Sequence, residues 1–187
     1  AFDKLDGSNI RAEWTKKKGW HKFGTRHRLV DSTDPIFGQA PDLVRDKYGD
    51  DLGRVLHDAG YERAMCFFEL WGPSSFAGMH DLSEKLTVTL FDIAPINQGI
   101  LMPDKFMKLC GKLDHAAMLY AGACDEWFIE QVRAGTLKGM TFEGVVCKSI
   151  NDKKTKMPIM FKQKSRAWLD KLHAYCGDNK DLLNALI

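Results

Sequence analysis

No stretch of this chain approaches the run of about 18 uninterrupted apolar residues that a membrane span needs, and no charged-then-apolar leader opens it. The expectation is a soluble, intracellular protein with no membrane partner. The five cysteines, Cys66, Cys110, Cys124, Cys147 and Cys176, are odd in number, far apart and without a CxxC pair. That argues against a disulfide framework and a zinc ribbon, and leaves reduced packing residues. The six histidines lack the HExxH spacing, and the H-x-E with P-C-x-x-C spacing, that would gather metal ligands on one face. No internal repeat, low-complexity tract or Pro/Ser-rich linker divides the sequence, so one compact unit over residues 1–187 is expected.

What is present begins with 44% apolar residues, ample for a buried core. The net charge of +2 conceals a strong asymmetry. Residues 11–28 carry Arg11, Lys16, Lys17, Lys18, Lys22, Arg26 and Arg28 against the single acid Glu13. Residues 148–171 carry Lys148, Lys153, Lys154, Lys156, Lys162, Lys164, Arg166 and Lys171 against Asp152 and Asp170. Clustered cations suit a phosphate-rich partner, because binding releases counterions. The alternative for Lys16–Lys18 and Lys153–Lys156 is a pair of solvated hairpin tips.

Apolar alternation at Ile10, Ala12 and Trp14, a Lys/Gly turn and a returning strand over Trp20–Arg26 predict a hairpin. Pro41 starts a helix carrying Leu43, Val44, Tyr48, Leu52, Val55 and Leu56, weakened by Gly49 and Gly53 and stopped by Gly60. Strands follow at Arg63–Leu70 and Leu86–Ile93, joined through Gly72, Pro73 and Gly78. Helices are expected over Pro103–Leu113 and Asp125–Arg133, the second closed by Gly135, with a strand at Ala116–Tyr120 between them. Phe142–Ile150 and Pro158–Lys164 read as a second hairpin around the polar turn Asn151–Lys156. A helix over Arg166–Tyr175 follows, then a last one capped by Asp178 that buries Leu182, Leu183 and Leu186. Hairpins interspersed with helices argue for an α+β fold with mainly antiparallel sheets.

Three short elements carry chemistry. Lys4-Leu5-Asp6-Gly7 supplies an amine, Glu143-Gly144-Val145-Val146-Cys147-Lys148 a carboxylate, and Lys162-Gln163-Lys164 two cations on one face of a strand. Nucleotidyl transfer needs these types: a nucleophile in line with the α-phosphate, cations around the developing charge and a carboxylate for a divalent metal. A lysine amine is protonated at neutral pH, so Lys4 is expected to need neighbouring cations and partial desolvation, with Lys162 and Lys164 as the helpers. Taken singly, Glu143, Lys148, Lys162 and Lys164 read as surface charges. Glu69 differs, because a carboxylate following Cys66-Phe67-Phe68 on a buried strand is costly without a partner.

In this order the elements resemble the covalent nucleotidyltransferases, the superfamily of DNA ligases, RNA ligases and mRNA capping enzymes, and within it the ATP-dependent RNA ligases. The resemblance runs from residue 4 to residue 164. Lys4–Gly7 is similar to motif I, which implies Lys4 as the catalytic lysine that takes AMP through a phosphoramide bond, with Asp3, Leu5 and Asn9 beside the nucleotide. Gly24-Thr25-Arg26 resembles the next element, implying a nucleotide or nucleic-acid contact for Arg26. Phe68-Glu69-Leu70-Trp71-Gly72 resembles motif III, with Glu69 on the ribose. Leu90-Phe91-Asp92-Ile93 resembles motif IIIa, with Phe91 against the purine, although by pattern alone Phe91 reads as core. Glu143–Lys148 resembles motif IV, implying Glu143 as metal ligand, with Asp92 or Asp6 helping through water. Lys162–Lys164 resembles motif V, placing both lysines on the phosphates.

The resemblance implies an ATP-grasp-like nucleotidyltransferase domain, ATP and Mg²⁺ with Mn²⁺ as a substitute, and RNA as partner, as nicked duplex or broken tRNA-like ends. Lys16, Lys17, Lys18, Arg28, Lys148 and Arg166 are the expected RNA contacts. Asn9, where DNA ligases and capping enzymes usually carry arginine, favours the RNA branch, as do the 23 residues after Lys164, too few for an OB-fold domain. Three residues precede Lys4 and no methionine opens the chain, so further sequence upstream is expected. A DNA ligase or GTP-dependent capping fragment, and a non-catalytic nucleic-acid-binding relative, are the alternatives.

Overall fold

A computed structural model describes residues 1–73, 83–150 and 157–186. The polar turn expected at Asn151–Lys156, with its lysines, and Gly78 of the expected loop lie outside the described residues. The described chain forms two antiparallel sheets with helices packed outside them. A five-stranded sheet has the order β4-β3-β2-β5-β6, built from β2 (Ser8–Thr15), β3 (Gly19–Gly24), β4 (Leu29–Val30), β5 (Arg63–Trp71) and β6 (Thr87–Pro95). A three-stranded sheet has the order β1-β7-β8, built from β1 (Phe2–Asp3), β7 (Gly144–Lys148) and β8 (Met160–Lys164). The expected α+β class with antiparallel sheets is the class observed. No helix among the described residues is long and apolar enough to cross a membrane.

The five-stranded sheet shows the alternation that the sequence displays. Ile10, Ala12 and Trp14 of β2 and Ala64, Cys66, Phe68 and Leu70 of β5 are buried on one face. Against that face packs α1 (Ala40–Asp58), whose Val44, Tyr48, Leu52 and Leu56 recur every fourth residue. Full burial of each of the three aliphatic side chains, Val44, Leu52 and Leu56, is worth roughly 1.5–3 kcal/mol. The two glycines that weaken the helix sit where tryptophans arrive: the Trp20 indole donates to the Gly49 carbonyl at 3.2 Å, and Trp14 lies beside Gly53. The opposite face of β2 and β5 presents Asn9, Phe67 and Glu69 to a cavity.

Two satellite cores support the smaller sheet. In one, α3 (Glu126–Ala134) packs Phe128 and Val132 with Val145 and Cys147 of β7. In the other, α4 (Arg166–Cys176) gathers Trp168, Leu172 and Cys176, with Leu182 and Leu183 of α5 (Lys180–Leu186) against them. Asn179 rather than Asp178 caps α5, its side chain accepting from the Leu182 N–H at 3.0 Å, and Leu186 is exposed rather than buried. The expected helix at 103–113 is the shorter α2 (Pro103–Cys110).

The expected strand at Ala116–Tyr120 is not one. Residues 115–118 form a link between the sheets, with isolated bridges from His115 to Leu90 of β6 and from Met118 to Phe2 of β1. The Ala116 N–H donates to the Leu90 carbonyl and the Asp3 N–H to the Ala117 carbonyl, both at 2.8 Å. A segment divided between two edges has too few bonds to either to count as a strand.

Gly144 opens β7 at φ 137°, and a Cβ there would collide with the Gln163 carbonyl of the paired strand and lie 2.9 Å from the Lys164 Cα. Only glycine meets both demands. Gly144→Ala is therefore expected to cost about 2 kcal/mol or more by parting the β7–β8 hairpin; urea denaturation showing an unchanged midpoint would contradict this.

Candidate active site

The two sheets enclose a cavity of about 550 Å³. Antiparallel pairing of β1 with β7, Asp3 opposite Val145, closes the 139-residue separation between Lys4 and Glu143. The Lys4 N–H donates to the Gly144 carbonyl at 3.0 Å, and its ammonium to Glu143 Oε2 at 2.7 Å. In the β7–β8 register Gly144 faces Lys164, and the Lys164 ammonium pairs with Glu143 Oε1. One buried carboxylate thus holds two lysines, one on each oxygen. Lys162 shares the β8 face with Lys164, lines the same cavity and is exposed.

Lys164 also lies over the Trp168 ring, 3.6 Å from its centroid. Burial is the main force pulling Lys164 below the ordinary lysine pKa; Glu143 opposes it, and the charges of Lys4 and Lys162 add to it. Trp168 was missed in the sequence, although it follows Lys164 by four residues at the start of a helix capped by Ser165, whose side chain accepts from the Trp168 N–H.

Glu69 lies on the opposite wall, in β5 between Asn9 of β2 and Thr89 of β6. Burial raises its pKa to about 7; Lys4 lowers it, the carboxylates of Glu143 and Asp6 raise it, and a hydrogen bond from the Gly7 N–H lowers it. Gly7 has no room for a side chain, because a Cβ would strike the Leu70 carbonyl and lie 2.9 Å from the Trp71 Cβ. That close approach brings the loop after Lys4 onto the end of β5.

Phe91 occupies a β-bulge. Phe67 pairs with Asp92 and Phe68 with Leu90, leaving Phe91 as the extra residue of β6. The core-facing residues accordingly run Val88, Leu90, Ile93, and the consecutive pair Phe91 and Asp92 both line the cavity. Bulges re-aim side chains in this way beside active sites. The Phe91 ring stands 6.3 Å from that of Phe67 at 33°, making an aromatic wall whose second member the sequence reading overlooked. Phe67 stands two residues before Glu69, on the same strand face, which was the available signal.

Asp3, Leu5, Asn9 and Arg26 also line the cavity, Arg26 from an exposed turn. The Asp3 carboxylate accepts from the Thr141 N–H at 2.9 Å and hydroxyl at 3.1 Å, and burial raises its pKa. The expected RNA contacts scatter. Lys16, Lys17 and Lys18 form the β2–β3 turn, roughly 20 Å along β2 from Asn9 at the usual rise per residue. Lys16 pairs with Glu62 at 3.3 Å, Arg28 with Asp34, and Arg166 with Glu130 at 2.7 Å. Lys148 is turned inward, its side chain 3% exposed and bonded to Asp92 at 2.6 Å, which leaves no surface for an RNA phosphate. The same bond occupies Asp92, which was expected to help Glu143 with a metal.

No family model matches the chain, and no curated protein matches it. Among solved structures it is similar to one described as an archaeal ATP-dependent RNA ligase, form 2, with a TM-score of 0.66 and 15% identity over 94% of this chain and 44% of that one. The chain thus spans less than half the length of that protein. At this identity the likeness establishes the fold alone: the chain shares the α+β fold of that RNA ligase structure.

An acid whose folded pKa is raised keeps a proton that the unfolded chain releases, so Glu69 makes the protein less stable as pH climbs from its ordinary 4.5 through about 7. Glu69→Gln is expected to gain stability relative to the parent over that range. Parallel pH profiles in chemical denaturation would contradict the assignment.

Proposed function

We propose that the chain is the adenylation domain of an ATP-dependent RNA ligase that joins 5′-phosphate and 3′-hydroxyl ends through lysyl-AMP. The observation that carries this reading is the sharing of Glu143 by Lys4 and Lys164 at one end of a cavity whose other wall holds Phe67 and Phe91. Three ammonium groups, those of Lys4, Lys162 and Lys164, line the cavity with Glu143 and are donors that a polyphosphate can use, while flat apolar rings suit a purine.

In the first step Lys4, whose ammonium rests on Glu143 at 2.7 Å, gives up a proton to solvent, and Glu143 stays ionised. Its amine then forms a bond to the α-phosphorus as the bond to pyrophosphate breaks. Lys164 and Lys162 stabilise the departing charge. A 5′-phosphate oxygen next displaces Lys4 from the AMP phosphorus, and a 3′-hydroxyl finally displaces AMP and seals the strand. Glu69 accepts from the ribose hydroxyls, and Asn9 and Arg26 border the nucleotide.

The donor set fits a magnesium ion held largely by water and phosphate. Glu143 faces the cavity, Asp6 and Glu143 both act on Glu69, and the described residues contain no cluster of three or more His, Cys, Asp or Glu that would cage a metal unaided. Mg²⁺, with Mn²⁺ as substitute, supplies charge neutralisation on the phosphates when bound, and Glu143 would hold it.

Incubation with α-labelled ATP and Mg²⁺ is expected to leave label on the protein, and Lys4→Ala to abolish it. Labelling from GTP alone would favour a capping-type guanylyltransferase, and no adduct from either nucleotide a binding module; comparison of nicked RNA with nicked DNA tests the polymer. The Lys16–Lys18 turn lies too far from Lys4 to serve the first step and is assigned to the RNA. Replacing all three by Ala is expected to keep adduct formation within about twofold while lowering the salt slope of RNA binding by up to about 3. Lost adduct, or an unchanged slope, would count against that assignment.

A further inference from the structure

Lys148 belongs to the central strand of the smaller sheet, yet its charged end works on the larger one. Its ammonium donates to Asp92 Oδ1 at 2.6 Å and to the Phe91 carbonyl at 3.0 Å. The Phe2 ring centroid lies 4.7 Å from the same nitrogen, and that of Phe106 at 5.6 Å. Both ends of the pair are almost fully buried, Lys148 at 3% and Asp92 at 6% side-chain exposure, and burial raises the Asp92 pKa while Lys148 lowers it.

Such a pair is a poor source of stability, since taking both charges out of water offsets most of their attraction. What it does supply is location. Phe91 is the bulged residue of β6, and a bulge leaves its extra residue outside the ladder. The Phe91 carbonyl, partly buried at the bulge, accepts a hydrogen bond from Lys148. The same ammonium fixes the next residue of the bulge through its carboxylate. On its own strand Lys148 is four residues from Gly144, whose carbonyl receives the Lys4 N–H. One side chain therefore connects the element that aims the aromatic wall to the sheet that carries Lys4, Glu143 and Lys164.

We propose that Lys148 and Asp92 are positioning residues: their ion pair across the two sheets holds the Phe91 bulge at a fixed distance from Lys4, and so sets the base relative to the attacking amine. This rests on the nucleotidyl-transfer reading above for its reaction, though not for the binding it implies. Misplacement by about 1 Å is enough to slow a bound reaction by about a hundredfold.

The test separates positioning from folding. Lys148→Met alone strands a buried carboxylate and is expected to lower Tm. Lys148→Met with Asp92→Leu removes both charges and is expected to bring Tm back near the parent value. In that double variant, adduct formation at saturating ATP is expected to fall about a hundredfold, and ATP affinity by calorimetry about tenfold. A double variant with parental Tm, rate and affinity would overturn the proposal. So would one that regains neither Tm nor function, since the pair would then be needed for folding itself. If the parent protein binds ATP but forms no adduct, the ligase reading fails while calorimetry still decides the positioning role. If the parent does not bind ATP at all, both fail.

Discussion

Glu143 is the residue on which the rest of the site depends. Its carboxylate is buried, and each of its oxygens holds a lysine from a different strand end, Lys4 after β1 and Lys164 at the end of β8. A buried carboxylate left unpaired costs several kcal/mol, so the burial of Glu143 depends on its lysine partners. The backbone agrees with the side chains. Gly144, next to Glu143, bonds to the Lys4 N–H through its carbonyl and lies against Lys164 because it lacks a Cβ. Lys162, on the same face of β8, adds a third ammonium group to this end of the cavity.

The larger sheet supplies the opposite kind of surface. Phe67 and Phe91 face the cavity beside Glu69, whose carboxyl is raised to about 7 because burial and two neighbouring carboxylates outweigh Lys4 and the Gly7 N–H. The lysines of the smaller sheet and the aromatic wall of the larger one line a single cavity. The link at residues 115–118 holds the sheets through backbone bonds, and Lys148 holds them through a side chain. In the proposed reaction the small sheet works on phosphorus and the large one on the nucleoside.

Much of this was legible in the sequence, for identifiable reasons. Strand alternation around Ile10, Ala12 and Trp14 and the four-residue rhythm from Val44 to Leu56 are local signals, and local signals place elements well. Motif order suggested Lys4, Glu143, Lys162 and Lys164 as companions, and the antiparallel pairings bring them to one cavity. Tertiary partners were not legible. Lys148 looked like part of a basic run and proved to be buried, because nothing local announces that Asp92 waits 56 residues away. The bulge at Phe91 left a trace, the core spacing changing from two to three between Leu90 and Ile93, but the run Thr87–Ile93 is too apolar for that trace to stand out. The link at 115–118 misled because its extended backbone serves two sheets without belonging to either.

The central claim is that Lys4, held by the carboxylate it shares with Lys164, is the group that receives the nucleotide. Peptide mapping by mass spectrometry after incubation with ATP and Mg²⁺ addresses it most directly. The account predicts a single AMP on the peptide that contains Lys4, released on adding pyrophosphate. AMP on any other lysine, Lys162 or Lys164 included, or no adduct in a protein that binds ATP, would contradict it.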